Sequence, residues 1–177
     1  MQIEQFFLKS VGEWNSMRSG HTLAFQEFEE IRSKIKISHT NSNDLRVMKL
    51  LKDNSLTSKD IKKAFLINWE VKSNWGDETQ KENSNGESIL IPLESSKTEG
   101  KIIRSTGYTE AINIVSLYKL LEDETLIIYS NYNQIYTEER IWFLSNNLRS
   151  RSSVSKAINS SAILQTSYAS EIRCLKT

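Results

Sequence analysis

Arg149 and Arg151 stand one residue apart in ERIWFLSNNLRSRSS, a stretch that begins at Glu139 and in which two apolar-rich runs flank a polar turn. If the second run is a strand, successive side chains alternate between faces, so Arg149, Arg151 and Ser153 share one face and Leu148 and Val154 take the other. Two guanidinium groups so placed lie roughly 7 Å apart, twice the rise per residue. Guanidinium forks bind carboxylates bidentately, so the pair suits an acidic ligand, in particular one with two carboxylates on flexible arms. Alternation alone leaves a plainer reading open, in which the pair faces water on the outside of the sheet, because charged residues are rarely buried.

The elements that must carry this pair are mostly strands. KAFLINWEVK, ESILIPLE, GKIIRST, NIVSLYKLL, TLIIYSNY, QIYTEERIWFL, NLRSRSSV and AILQTSYASEIRCL all read as strands, several of them joined by hairpin-like turns such as EDE, NYN and SNN. HTLAFQEF and SKIKISHT read as two earlier strands, the second by its alternation of Ile35 and Ile37 against Lys34, Lys36 and Ser38. A meander of about eight to ten antiparallel strands would expose long edges unless it closed, so the expected fold is mainly β, an up-and-down barrel able to hold one small ligand. Two helices interrupt it. Ile3, Phe6, Phe7 and Ser10 are spaced as a short amphipathic N-terminal helix that Val11 and Trp14 continue loosely, and it would cover an apolar opening. NDLRVMKLLK, residues 43 to 52, reads as an inserted helix with Asn43 as N-cap and Leu45, Met48 and Leu51, or Leu56 beyond them, on its apolar side. Pro92 inside a strand signal suggests an edge or bulge, and GDETQKENSNGES, residues 76 to 88, reads as a mobile loop.

Composition bounds the rest. The 177 residues, without a linker or internal repeat, form one domain over 1–177. The 23 Lys and Arg nearly cancel the 22 Asp and Glu, which argues against a general nucleic-acid binder. No apolar run approaches the roughly 20 residues that span a bilayer, and the N-terminus lacks a signal-peptide layout, so no membrane association is expected. Cys174 is the only cysteine, which rules out an intrachain disulfide and a multi-cysteine metal site.

FFLKSVGEWNSMRSGHTLAF, residues 6 to 25, with Ser10, Gly12, Trp14, Ser16, Arg18 and His21 at characteristic spacing, resembles the opening of the S-type phycobiliprotein lyase family. ERIWFLSNNLRSRSSV resembles that family's second hallmark and YASEIR its third, so the resemblance spans nearly the whole chain in order. It implies a lipocalin-like or fatty-acid-binding-protein-like β-barrel, in which an open-chain tetrapyrrole is bound and then handed to a cysteine of a phycobiliprotein subunit. The expected substrate is phycoerythrobilin and the expected partner an apo-phycoerythrin subunit, with no permanent cofactor and no metal. A cytoplasmic cyanobacterial or phage-derived protein is implied, or one of the plastid stroma if algal, and an exposed barrel face leaves a homodimer open. A non-catalytic carrier of a bilin or of another acidic hydrophobic molecule is the alternative.

The resemblance also implies roles for particular residues. At least one of Arg149 and Arg151 would grip a bilin propionate, with Ser153 beside them. Glu139 and Glu171 are the candidate catalytic carboxylates, able to hydrogen-bond pyrrole N–H groups and stabilise the protonated bilin, which makes ring A more electrophilic. For either, a surface ion pair with Arg140 or Arg173 is the plainer reading. Trp75 is favoured over Trp69 to stack on a pyrrole ring, Trp69 being the safer core residue, and Trp142 fits core and pocket equally. Arg18 and His21, just before the first strand, would meet the bilin or the acceptor, unless Arg18 merely caps or pairs. Cys174 has no activating neighbours in sequence and reads as an inert thiol, the nucleophile coming from the acceptor.

Overall fold

The computed structural model describes residues 1–75, 85–105, 113–160 and 162–175, with the side chains of 73–75 and 113 outside the described set. α1 (Ile3–Ser10) leads into β1 (Gly12–Thr22) and β2 (Glu27–Thr40), and α2 (Leu45–Asp53) follows. Then come β3 (Ala64–Trp75), β4 (Gly86–Glu94), β5 (Glu99–Ser105), β6 (Asn113–Leu120), β7 (Leu126–Tyr132), β8 (Ile135–Ser145), β9 (Leu148–Ala157) and β10 (Ile163–Arg173). Each strand pairs antiparallel with its sequence neighbours, and β10 returns to β1, so the ten strands close a barrel with no free edge. The two-residue turn between β7 and β8 is built on Asn133 and Gln134, both with positive φ, as the twist of a tight hairpin requires.

The elements differ from the sequence expectation at four places. HTLAFQEF is not a strand: it straddles the tip of the β1–β2 hairpin, and β1 begins at Gly12, eleven residues before the turn begins at Leu23. The opening helix accordingly stops at Ser10, and Trp14 belongs to the sheet. α2 is capped by Asp44, whose carboxylate accepts from the Arg46 N–H, rather than by Asn43. Its buried side carries Val47, Leu50 and Leu51 while Leu45 and Met48 are exposed, so the apolar stripe is rotated from the one expected. Finally, the polar stretch 76–88 ends in strand, since Gly86, Glu87 and Ser88 pair with β3; residues 76–84 lie outside the described residues. Pro92 sits where the β3–β4 ladder has already ended at Phe65–Leu90, a local edge inside a closed barrel, so its missing N–H removes no bond on that side.

Two packing regions hold the barrel. Inside, α1 plugs one end: Ile3, Phe6 and Phe7 pack against Phe65, Tyr118, Leu120 and Leu126 from three strands. Each such fully buried side chain contributes about 1.5–3 kcal/mol of transfer free energy. Outside, α2 lays Val47, Leu50 and Leu51 over Ile89, Ile91 and Ile103, which makes β4 apolar on both faces and explains its unbroken ILIPL run. No helix among the described residues is long and apolar enough to cross a membrane.

Candidate functional site

Above the α1 plug the barrel encloses a cavity of about 530 Å³, within the usual range for small-molecule sites. Its lower part is apolar, formed by Phe6, Phe7, Ile35, Ile37, Ile67, Leu90 and Ile128, and its upper part carries Arg18, Arg104, Glu139, Arg151 and Trp69. Strand parity produces this lining. Arg149 and Arg151 on β9 face inward, Glu171 on β10 is the cross-strand partner of Arg149, and Ser16 on β1 is the cross-strand partner of Glu171. The outward reading of the arginine pair is therefore excluded.

The first surprise is that the arginines already have partners. Arg149 donates through Nε to Glu171, and the two side chains are 3% and 1% exposed. Arg151 reaches Glu171 Oε1 at 3.3 Å with one nitrogen and Glu139 Oε1 at 3.3 Å with the other, while staying 33% exposed to the cavity. Burial pushes the Glu171 carboxyl up, but the charges of Arg151 and Arg149 and hydrogen bonds from Arg149 and Ser16 outweigh it and hold the group below the usual carboxylate range. Burial also lowers Arg149, whereas Arg151 is raised because Glu171 and Glu139 together overcome its desolvation. Arg149 further lies over the Trp14 ring at 4.6 Å, and Arg173 lies over the same ring at 4.2 Å. Arg173 donates to the carbonyls of Lys9, Val11 and Asn146, which ties α1 to the last strand.

These contacts divide the expected site residues. Arg149 and Glu171 form a buried, mutually satisfied pair with little left to offer a ligand. Arg151 and Glu139 line the cavity with free capacity, Glu139 being 18% exposed and bound at one oxygen. The ion pair considered as the plainer reading for the glutamates does form, but inside the barrel and with other partners, since Arg140 pairs with Glu138 on the outer face. Arg18 lines the cavity and pairs with Glu29 at 2.8 Å. It lies within β1, not before it, and His21 points to the opposite face, where its ring packs tilted against Phe28 with centroids 4.9 Å apart.

Three further residues fall away from the cavity. Ser153 faces inward but is not a lining residue; its hydroxyl pairs with that of Ser167 at 2.8 Å. Trp142 has the opposite parity to Ile141 and lies on the outer face, its ring 6.3 Å from Tyr168, so it is not a pocket residue. Cys174 is a half-buried free thiol just past β10. Trp75 has its backbone at the end of β3, and its side chain lies outside the described residues.

Two lining residues were missed. Trp69, taken for core, forms part of the cavity wall; its cross-strand partner is Gly86, where a Cβ would lie 2.4 Å from the indole, so only glycine lets the ring lie flat there. The Gly in NSNGES was the available signal. Arg104 lines the cavity and has no ion-pair or hydrogen-bond partner among the described residues. Its inward parity with Ile102 in GKIIRS was legible once a strand was assumed. Among the described residues, four arginines at positions 18, 104, 149 and 151 against glutamates 29, 139 and 171 leave one positive charge over, that of Arg104. The cavity can thus hold an elongated, mostly apolar molecule with acidic arms, and present one carboxylate to its N–H groups.

A family profile described as CpeS-like protein matches residues 2–174. A chromophore lyase CpcS/CpeS 3 of Trichodesmium erythraeum is 37% identical, the alignment covering 98% of this chain and 99% of the relative. A proposed phycoerythrobilin lyase CpeS of Microchaete diplosiphon is 32% identical over 84% of this chain and 66% of its own length. Among solved structures, the S-type phycobiliprotein lyase CpeS from Guillardia theta superposes with a TM-score of 0.85 at 30% identity, covering 100% of this chain and 95% of the other.

Proposed function

Because this chain belongs to the CpeS-like family of chromophore lyases, which attach bilins to phycobiliproteins, we propose that it binds phycoerythrobilin and joins it to a cysteine of a phycoerythrin subunit. One observation carries the choice of ligand: an apolar cavity of about 530 Å³ ends in Arg18, Arg104 and Arg151 with Glu139 among them. A linear tetrapyrrole has an apolar conjugated body, two propionate arms and a row of pyrrole N–H groups, and each feature meets its complement there. Arg104 and Arg151 take the propionates, Trp69 stacks on a ring, and Glu139 accepts from pyrrole N–H groups and favours the protonated chromophore. Arg149 and Glu171 are positioning residues that hold Arg151 in place. The name of the Microchaete diplosiphon relative supports the choice of phycoerythrobilin.

Attachment is an addition. The acceptor thiolate forms a C–S bond to the exocyclic alkene carbon of ring A, and a proton is delivered to the neighbouring carbon, so no oxidant and no leaving group are needed. Positioning the two reactants and stabilising the charge on the bilin supply the acceleration. The test mixes purified protein with phycoerythrobilin, records absorption and fluorescence, adds apo-phycoerythrin subunit and maps the product by mass spectrometry. A red-shifted complex followed by thioether formation at one cysteine, faster than without the protein, is expected. Binding without accelerated attachment would reduce the protein to a carrier.

A further inference from the structure

α1 closes one end of the barrel, and the polar part of the cavity faces the other, where the hairpin tips β1–β2, β9–β10 and β7–β8 stand side by side. These tips belong to six strands that are consecutive around the barrel, β2, β1, β10, β9, β8 and β7. Backbone hydrogen bonds stitch them together: the Leu23 N–H donates to the Leu164 carbonyl at 2.9 Å and the Ile158 N–H to the Gln134 carbonyl at 2.9 Å. Along this arc Leu23, Phe25, Phe28, Ile135, Ile158 and Ile163 are all exposed, Phe25 by 73% and Phe28 by 58%. The tip sequences TLAFQ, NYNQI and AINSSAI contain no charged residue, in a chain of which 25% is charged. Two of the turns at the plugged end differ, SSKTE and LEDET carrying five charges between them, while the β8–β9 turn SNN there carries none. Exposed Glu27 and Lys156 flank the turns at the strand ends, so the uncharged part is the turns themselves, and a row of exposed apolar side chains there is unusual unless something covers it.

We propose that this rim is the docking surface for the acceptor phycobiliprotein, and that it fits an apolar, uncharged surface flanking the acceptor cysteine. The inference rests on the lyase reading above. A thiol on a second protein must come within bonding distance of a chromophore held in the cavity, and the α1 end is filled by Ile3, Phe6 and Phe7. The macromolecule must therefore sit on the opposite rim, and of the tips described there three present apolar side chains and no charges. Docking by hydrophobic contact also leaves the arginines below free for the bilin, where a rim of acidic or basic groups would compete with them.

The experiment uses the full chain carrying Leu23→Ser and Phe25→Ser together, with Leu117→Ser, an exposed residue on β6 away from these tips, as the control. Phycoerythrobilin absorption reports cavity binding, biolayer interferometry reports capture of bilin-free apo-phycoerythrin subunit, and transfer is followed against acceptor concentration. The double variant is expected to bind bilin as the parent does, to bind the acceptor about tenfold more weakly, and to show a raised KM for acceptor with kcat retained; Leu117→Ser changes none of these. Unchanged acceptor affinity in the double variant overturns the docking surface while leaving the lyase reading intact. Acceptor capture that is lost in the double variant, without bilin transfer by the parent, upholds the surface and overturns the lyase reading. Concentration-dependent dimerisation of the parent that the double variant abolishes, with acceptor affinity unchanged, reassigns the rim to a second copy of this chain and overturns the proposal.

Discussion

Replacing Arg149 and replacing Arg104 test different properties, although both are arginines on the inner face of one barrel. Arg149→Ala removes the main partner of a glutamate that is 1% exposed, so it is expected to destabilise the fold by about 3–5 kcal/mol, read as a loss in the urea midpoint. Arg104→Ala strands no buried acid, so its stability should stay within about 0.5 kcal/mol of the parent, whereas its affinity for phycoerythrobilin should fall by about 1.5–3 kcal/mol, the range for a hydrogen bond to a charged group, read by absorption titration. Equal bilin affinity in parent and variant would remove Arg104 from the site. Tyr118 is a different case: its buried hydroxyl has no hydrogen-bond partner among the described residues, and burial, with Glu94 adding to it, pushes its pKa up to about 12. A phenol kept neutral in the fold stabilises fully below its ordinary value of 10.0 and loses that contribution as pH climbs from about 10 to 12. Tyr118→Phe should therefore be no less stable at pH 7 and should lose less stability between pH 9 and pH 11, checked by thermal melts across that range. Glu171 has the opposite sign. Its carboxyl, held below the usual carboxylate range, stabilises the fold at neutral pH, and that contribution is lost on acidification as the pH falls through the lowered value.

α1 is the element on which the cavity floor depends. It has eight residues, too short to be stable alone in water, and owes its helix to the burial of Ile3, Phe6 and Phe7 inside the barrel. Phe6→Ala should cost about 3–5 kcal/mol and open the lower cavity, measurable as a lowered urea midpoint together with looser bilin binding. α2 packs outside the barrel and touches no cavity residue, so Asp44→Ala, which removes its N-cap and the pair with Arg46, should cost about 1 kcal/mol and leave bilin affinity unchanged. The contrast separates a helix that shapes the site from one that only shields the sheet.

For the whole molecule, a ligand that binds only the closed barrel must stabilise it by mass action. Phycoerythrobilin at 100 times its Kd should add about 2.7 kcal/mol, so the Tm should rise with bilin concentration and fall back when the bilin is removed. A Tm independent of bilin would deny specific binding to the folded barrel.

Period-two alternation and turn residues were enough to find nine of the ten strands, the barrel and the inward arginine face, because a strand with one buried face writes its register into the sequence. The amphipathic α1 was legible for the same reason at period 3.6. Sequence did not reveal that β1 starts at Gly12, since GEWNSMRSGHT has a weak apolar alternation whose inward set, Trp14, Ser16, Arg18 and Gly20, includes two small residues and a cation. Nor did it show which charges meet. Glu139 and Glu171 had nearby arginines in sequence at 140 and 173, but a neighbour in a strand points to the other face, and a residue two apart competes with those across the sheet. Only the closure of β10 on β1 and the registers of β8, β9 and β10 decided that Glu171 takes Arg149, that Glu139 takes Arg151 and that Arg104 faces the cavity without a partner among the described residues. Local pattern dictates which face a side chain occupies, whereas its partner is set by strands far away in the chain, and that requires the folded barrel.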